Sequence, residues 1–198
     1  MIYSLSEIDA QCRKATRGAG FSWGHAEEAG KAARWLAMHE LPGAALLAAY
    51  LAQYSNSPAL FQEMCPIVAG ATICDNGDAI TTQAVYFKQL AYPLLLLPYV
   101  AMLARARSLE TALSWNGVRI VCNSKSICIL DRAELSTDGA KDVCCEVSEN
   151  KQQVQQWQVA KTAGQFINNV DWRVLTGLAH HTCVPATEAS RRGAGPAN

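Results

Sequence analysis

The sequence lacks an excess of charge of either sign. Its 17 lysines and arginines balance its 17 aspartates and glutamates, and charged residues make up only 17% of the 198 residues. Binding to nucleic acids or to anionic membrane surfaces usually depends on a basic patch, so this balance argues against both kinds of partner. Because half of the residues are hydrophobic, the composition is that of a chain that folds around a core.

The sequence also lacks an apolar run long enough to cross a bilayer, which takes about 20 residues. Its N-terminus has no basic segment followed by an apolar one, as a secretory signal would have. None of the eight cysteines has CxxC spacing, and a chain of this length needs no disulfide staples. We therefore expect a cytoplasmic protein with free thiols, no bound metal and no cofactor.

The first third of the chain carries helical signals. Ser4 and Glu7 have the spacing of a capping box, which predicts a helix directly after Ser4. Ser22 can cap a second helix, and the apolar run at residues 44–52 predicts a third helix that is buried on all sides. We expect these three helices to form one layer over residues 1–55.

The middle of the chain carries strand signals, and we expect residues 65–148 to be mainly β. The apolar, β-branched segment at residues 67–73 predicts a first strand. Asn116 and Gly117 are the preferred pair for a type I′ turn, so they predict a hairpin of two antiparallel strands. Two later strands are expected to extend this meander.

The C-terminal part carries the signals of a last helix. Asn169 can cap it, and Val170 and Leu178 belong to its apolar stripe, so we expect a helical segment over residues 169–192. Together these patterns predict a single α+β domain over residues 1–198. In this fold an N-terminal three-helix layer packs on a largely antiparallel β-meander, and a C-terminal helix closes the domain.

A glycine-rich turn before the second predicted helix carries the main chemical candidates. Gly18 and Gly20 leave backbone N–H groups free near a positive helix end, where a phosphate or carboxylate can bind. His25 follows Ser22 in this turn and can act as a general base, since the helix end favours its neutral form. The alternative is an ordinary helix connection, in which Ser22 serves only as a cap and two following glutamates satisfy the helix dipole.

A second short segment repeats the first. Arg-Gly-Ala-Gly occurs at residues 17–20 and again at residues 192–195. If the two loops met, their arginines would border one cleft for a small anionic metabolite, with Trp23 and His25 on its wall. The alternative is that glycines end helices in both places and that the match is a coincidence. The candidate ligand-binding residues are Arg17, Gly18, Gly20, Ser22, Trp23, His25, Arg191 and Arg192.

A long stretch of the chain is almost free of charge. Residues 41–104 contain only four charged side chains, those of Glu63, Asp75, Asp78 and Lys88. Such a stretch is either mostly core or partly covered by another surface, because a soluble monomer seldom exposes large apolar patches. We therefore expect a homo-oligomer or a complex with a protein partner.

Two segments resemble an uncharacterised bacterial family described only as a domain of unknown function. They are RGAGFSWGHAEEAG at residues 17–30 and CVPATEASRRGAG at residues 183–195. The resemblance implies a bacterial cytoplasmic protein. It brings no activity and no site residues.

Three classes of function remain open. The first is a small-ligand-binding or accessory subunit beside a metabolic enzyme, which the charge-poor stretch and the missing catalytic set favour. The second is an enzyme, a hydrolase or lyase for a small carboxylated metabolite with His25 as base, which requires a pocket with a second polar group in reach. The third is a structural or regulatory interaction protein, which an exposed, unpaired apolar sheet face would favour.

Overall fold

A computed structural model describes residues 1–59, 64–124, 126–129, 135, 140–148 and 161–183. The α+β class predicted from the sequence is confirmed. The elements used below are, in chain order, β1 (Ile2–Ser4), α1 (Leu5–Gly18), α2 (Trp23–Met38), α3 (Gly43–Asn56), α4 (Pro66–Asp75), α5 (Ala79–Thr82), β2 (Val85–Ala91), a 3₁₀ turn (Pro93–Leu96), α6 (Leu97–Arg107), β3 (Thr111–Trp115), β4 (Val118–Cys122), β5 (Ile127–Ile129), β6 (Ala140–Val147), β7 (Gly164–Phe166) and α7 (Asn169–His180).

The three N-terminal helices lie where the sequence predicts them. Ser4 caps α1 in a capping box, since its hydroxyl accepts from the Glu7 N–H and the Glu7 carboxylate accepts from the Ser4 N–H at 2.8 Å. Ser22 caps α2 by accepting from the His25 N–H. α3 is buried around most of its circumference, and Leu47 lies at its centre.

The prediction of a strand at residues 67–73 is wrong, because this segment lies in helix α4. Pro66 occupies the first turn of the helix, where its missing N–H leaves no hydrogen bond unmade. Ile67, Gly70 and Ile73 are three residues apart and all buried, which is the spacing of one helix face. The β-branched composition of the segment predicted a strand, whereas the spacing of its buried residues is helical.

The hairpin at Asn116 and Gly117 is confirmed, with the register that a type I′ turn requires. Both turn residues have positive φ angles, 40° and 83°. Trp115 pairs with Val118 across the turn, and the pairing continues along β3 and β4 without a shift. The pairing places the large apolar side chains of both strands on the inner face of the sheet.

The five-stranded sheet has the order β2-β6-β3-β4-β5, and its neighbouring strands are antiparallel. β3, β4 and β5 follow one another as the predicted meander. β6 does not continue from β5, since it crosses back and lies between β2 and β3. A second sheet of two strands, the ribbon, pairs β1 with β7. The sequence did not predict the ribbon, because each of its strands is only three residues long.

Most of the charge-poor stretch at residues 41–104 belongs to the core. Leu51 of α3 and Leu96 of the 3₁₀ turn lie in the same buried cluster as Leu113 on the inner face of the sheet. α4 and α6 contact α2 on one side and the sheet on the other. Within the described part of this stretch, the large hydrophobic side chains that stay exposed are those of Val68, Tyr86 and Met102.

The C-terminal helix differs from its prediction at its first turn. Asn168, rather than Asn169, caps α7. Val170 is exposed instead of belonging to the buried stripe, because the face of α7 that packs on α1 and α3 is centred on Leu175. Residues 184–192 of the predicted helical segment lie outside the described residues.

Candidate functional site

The glycine-rich turn connects α1 to α2 through residues 19–22. Gly20 has a φ of +104°, a left-handed backbone conformation that residues other than glycine rarely adopt. The Ser22 Oγ accepts from the His25 N–H at 3.2 Å, which satisfies one free donor of α2. The sequence predicts two glutamates in the first turn of α2, but no acidic residue lies there. Contrary to that prediction, no carboxylate in the first turn satisfies the helix dipole.

The turn brings two of the candidate residues together, Arg17 and Trp23. The Arg17 Nη1 donates to the Phe21 carbonyl oxygen at 2.8 Å. The guanidinium carbon also lies 5.4 Å from the centre of the Trp23 ring, within the range of a cation–π interaction. Arg17 therefore ties the end of α1 to the turn and to the first residue of α2.

Gly18 allows α1 to approach α7 closely. A Cβ atom at this position would collide with the Leu178 carbonyl oxygen. The His181 Nδ1 lies 3.3 Å from the Gly18 carbonyl oxygen, within hydrogen-bond distance. Close packing of two helices thus accounts for this glycine without a bound anion.

The second Arg-Gly-Ala-Gly segment, including Arg191 and Arg192, lies outside the described residues. α7 nevertheless returns the described chain to the first segment, because His181 lies beside Gly18. This approach is what the hypothesis of one shared cleft requires. The cleft itself stays a prediction.

His25 is half-buried at the start of α2. Among the described residues its ring takes part in no hydrogen bond, and neither of the two cavities described next is lined by it. The general-base hypothesis requires a pocket and a second polar group at this histidine. The role of His25 as a base therefore stays a prediction.

A groove with a volume of about 250 Å³ lies between α2 and α6. Ala32 and Trp35 of α2 form part of its apolar lining, together with Pro98 and Met102 of α6. The Trp35 ring packs on the ring of His39, with 4.1 Å between the ring centres. The His39 ring therefore supports the Trp35 ring, which forms the aromatic wall of the groove.

Four polar side chains also line this groove: Glu28, Lys31, Tyr99 and Arg105. Lys31 donates to Glu28 at 2.7 Å, whereas Arg105 has no ion-pair partner in the described part of the chain. Tyr99 is only 3% exposed, and its buried hydroxyl has no hydrogen-bond partner among the described residues. Burial raises the pKa of Tyr99, and the Glu28 carboxylate adds to this effect, so the hydroxyl keeps its proton.

A second cavity, of about 630 Å³, is lined by Arg119 and Glu146 on the outer face of the five-stranded sheet. The Arg119 Nη1 donates to Glu146 at 2.9 Å and to the Ser114 Oγ at 3.3 Å. Cys144 pairs with Ser114 on one side and with Tyr86 on the other, so these residues form a polar row across the sheet. Burial raises the pKa of the Cys144 thiol, which is the opposite of what activates a cysteine as a nucleophile.

The ribbon presents large apolar side chains to solvent. Ile2 and Phe166 pair across its two strands and are 79% and 70% exposed. Tyr3 points to the other face and stacks on Trp172, with 3.6 Å between the ring centres. We call Ile2 and Phe166 the ribbon surface.

All eight cysteines are free thiols, as the sequence predicts. Burial raises the pKa of Cys12, and it raises that of Cys74 to about 11. Among the described residues, histidines, cysteines and carboxylates form no cluster of three or more that could hold a metal ion. The described helices include none with the length and apolar character needed to cross a membrane.

These elements define an α+β protein with a groove between two helices and an exposed apolar ribbon. Residues 3–76 match the model of a family described as a protein of unknown function, DUF3726. The match confirms the family resemblance and includes the first of the two segments that carry it, residues 17–30. The second segment, at residues 183–195, lies beyond the matched part. Comparisons with curated proteins and with solved structures found no match.

Proposed function

We propose that the protein is a non-catalytic subunit of the bacterial cytoplasm that binds a partner protein, either as an accessory to a metabolic enzyme or as a regulatory interaction protein. The ribbon surface carries this proposal, because Ile2 and Phe166 lie side by side and are mostly exposed. Single exposed apolar residues are common, but a contiguous group of them is typical of an interaction surface.

The backbone of the ribbon also suits a partner. The Ile167 N–H donates to the Met1 carbonyl oxygen, next to the Ile2–Phe166 pair. Bonded and unbonded pairs alternate in an antiparallel ladder, so the backbone groups of Ile2 and Phe166 point outward. In the described part of the chain each ribbon strand has one neighbour, which leaves those groups open to a further strand.

The alternative of a hydrolase or lyase has less support. The His25 ring has no hydrogen-bond partner among the described residues, and the pKa of the half-buried Cys144 is raised rather than lowered. A nucleophile or a general base is normally assembled with a second group that activates it. The exposed sheet face, by contrast, is the feature that favours an interaction protein.

Affinity purification of the full chain from its native cells, followed by mass spectrometry, tests the proposal. We compare the wild type with Phe166→Ser and use Tyr86→Ser as the matched control. Both residues are exposed aromatic side chains on strands, at 70% and 72%, but Tyr86 belongs to the other sheet. We expect Phe166→Ser to reduce recovery of the partner at least about tenfold, because a few apolar anchors usually dominate an interface, and Tyr86→Ser to keep it.

Recovery of the same proteins with both variants would contradict the proposal. A strictly monomeric wild type in light scattering, together with no specific partner, would contradict it as well. The identity of the partner separates the two forms of the proposal. An accessory subunit is recovered with a metabolic enzyme and changes its activity, whereas a regulatory interaction protein is recovered with a partner that is not a metabolic enzyme.

A further inference from the structure

The groove between α2 and α6 has the composition of a small-molecule site. Ala32, Trp35, Pro98 and Met102 offer apolar contact, and a few polar groups lie among them. Its volume of about 250 Å³ is just below the roughly 300–1,000 Å³ of sites for drug-sized ligands. An occupant is therefore a molecule with one small ring or a short branched chain. The groove shares no residue with the ribbon surface.

Tyr99 lines this groove, and its hydroxyl is buried and unpaired among the described residues. A Cβ atom on Gly70 would collide with the Tyr99 ring, so the ring lies directly against the backbone of α4. The hydroxyl is shielded from solvent and has no partner in the described part of the chain. Buried polar atoms are almost always paired, because an unpaired one is unfavourable. A ligand in the groove that Tyr99 lines can supply the missing partner.

The Tyr99 hydroxyl acts as a donor. Burial and the nearby Glu28 carboxylate both raise the pKa of Tyr99, so its proton stays in place at neutral pH. Because the hydroxyl keeps its proton, it can donate to an acceptor such as an ether, carbonyl or carboxylate oxygen.

The rim of the groove has one uncompensated positive charge. Glu28 and Lys31 pair with each other at 2.7 Å. Arg107 in the last turn of α6 pairs with Asp78, whereas Arg105 in the same turn has no ion-pair partner within the described residues. A guanidinium without a partner binds carboxylates through two parallel N–H donors.

We propose that this groove binds small monocarboxylic acids that have an apolar or aromatic body and an oxygen acceptor at the opposite end. Arg105 binds the carboxylate, Trp35 and Met102 contact the body, and Tyr99 donates to the distal oxygen. Tyr99 and Arg105 are six residues apart, which is about 9 Å along the axis of α6. The two polar ends of the ligand are therefore separated by its apolar body.

Calorimetric titration of the full chain with three matched probes tests the proposal. The probes are 4-methoxyphenylacetate, its neutral amide, and 4-ethylphenylacetate, which lacks the distal oxygen. We expect the acid to bind, the amide to bind about tenfold more weakly, and the ethyl probe to bind several-fold more weakly, as the loss of single hydrogen bonds predicts.

Three variants assign these differences to residues. Arg105→Gln removes the preference for acid over amide, and Tyr99→Phe removes the preference for the methoxy over the ethyl probe. Arg107→Gln, on the same turn, leaves both preferences unchanged. Tyr99→Phe also keeps the melting temperature of the wild type or raises it, because the hydroxyl has no bond to lose in the unliganded protein.

Equal affinity for the acid and the amide would overturn the proposal, and so would a methoxy preference that survives Tyr99→Phe. Absence of binding of all three probes at millimolar concentration would overturn it too. A lower melting temperature for Tyr99→Phe without probe binding would mean that a water molecule occupies the site instead. Phe166→Ser separates this result from the proposed function, since it removes the partner and leaves probe binding intact.

Discussion

Helix α2 borders two regions that differ in how completely their polar groups are paired. In the turn before α2, Arg17 donates to the Phe21 carbonyl oxygen and Ser22 caps the helix. In the groove along α2, Arg105 and the Tyr99 hydroxyl have no partner among the described residues. The turn has the more conspicuous sequence, but its Arg17 and Ser22 side chains are already paired. Unpaired groups, rather than a conspicuous motif, are therefore the basis on which we propose the groove as a ligand site.

The largest effect that we expect tests the packing role of the turn. Gly18→Ala places a Cβ against the Leu178 carbonyl oxygen, so α1 and α7 must separate. We expect the free energy of unfolding, measured in urea, to fall by about 3 kcal/mol or more, as in other overpacked sites. Gly177→Ala is the control, because no atom of the described residues lies within 4 Å of its added Cβ, and it should stabilise α7 by up to about 1 kcal/mol. A change below about 1 kcal/mol for Gly18→Ala would contradict the close approach of the helices.

The next effect tests whether the turn is also a ligand site. Arg17→Ala removes the bond to the Phe21 carbonyl oxygen and the contact with Trp23, so we expect a loss of roughly 1–2 kcal/mol in unfolding free energy. Lys14→Ala, a change at an exposed position of the same helix, should lower the unfolding free energy only slightly. NMR titration with inorganic phosphate should give no shift at the turn in either variant or in the wild type. Phosphate binding that disappears with Arg17→Ala would reverse the comparison between the turn and the groove.

Local sequence signals predicted the turn and its flanking helices well. Ser4, Ser22 and the Asn116–Gly117 pair each act within a few residues of themselves, so their caps and hairpin follow from short-range hydrogen bonds. The prediction of a strand at residues 67–73 is wrong because it rests on β-branched composition, whereas the buried positions have helical spacing.

The groove and the ribbon surface have no comparable local signal. Trp35 and Tyr99 meet only because α2 and α6 pack together, although they are far apart in sequence. Ile2 and Phe166 pair across strands that are too short to show an alternating pattern. In both places the geometry on which our proposals rest depends on long-range packing, which composition and periodicity do not specify. Met102 is exposed while the other residues of the segment 97–104 are buried, but this exposure cannot be read from the sequence.

A smaller effect separates two kinds of unpaired hydroxyl. The Thr111 Oγ1 is also buried and has no hydrogen-bond partner in the described chain, but Thr111 lines neither of the two cavities. Thr111→Val keeps the shape of the side chain, so we expect it to raise the unfolding free energy by up to about 1 kcal/mol. Thr16→Val is the matched control: Thr16 is equally buried and donates to the Cys12 carbonyl oxygen at 2.8 Å, so its loss should destabilise by a similar amount. Destabilisation by Thr111→Val would show that its hydroxyl has a partner after all.

The smallest effect concerns the histidine behind the aromatic wall of the groove. Burial lowers the pKa of His39, although its hydrogen bond to the Trp35 carbonyl oxygen acts the other way. The folded protein therefore takes up this proton at a lower pH than the unfolded chain. Stability should be unaffected above the ordinary histidine value of about 6.5 and should fall as the pH drops below it, by less than about 1 kcal/mol.

Urea unfolding at two pH values, one above and one below the ordinary histidine pKa, measures this pH dependence of stability. His39→Gln should show a smaller loss of stability on acidification than the wild type. An unchanged loss in His39→Gln would show that the titrating group is not His39.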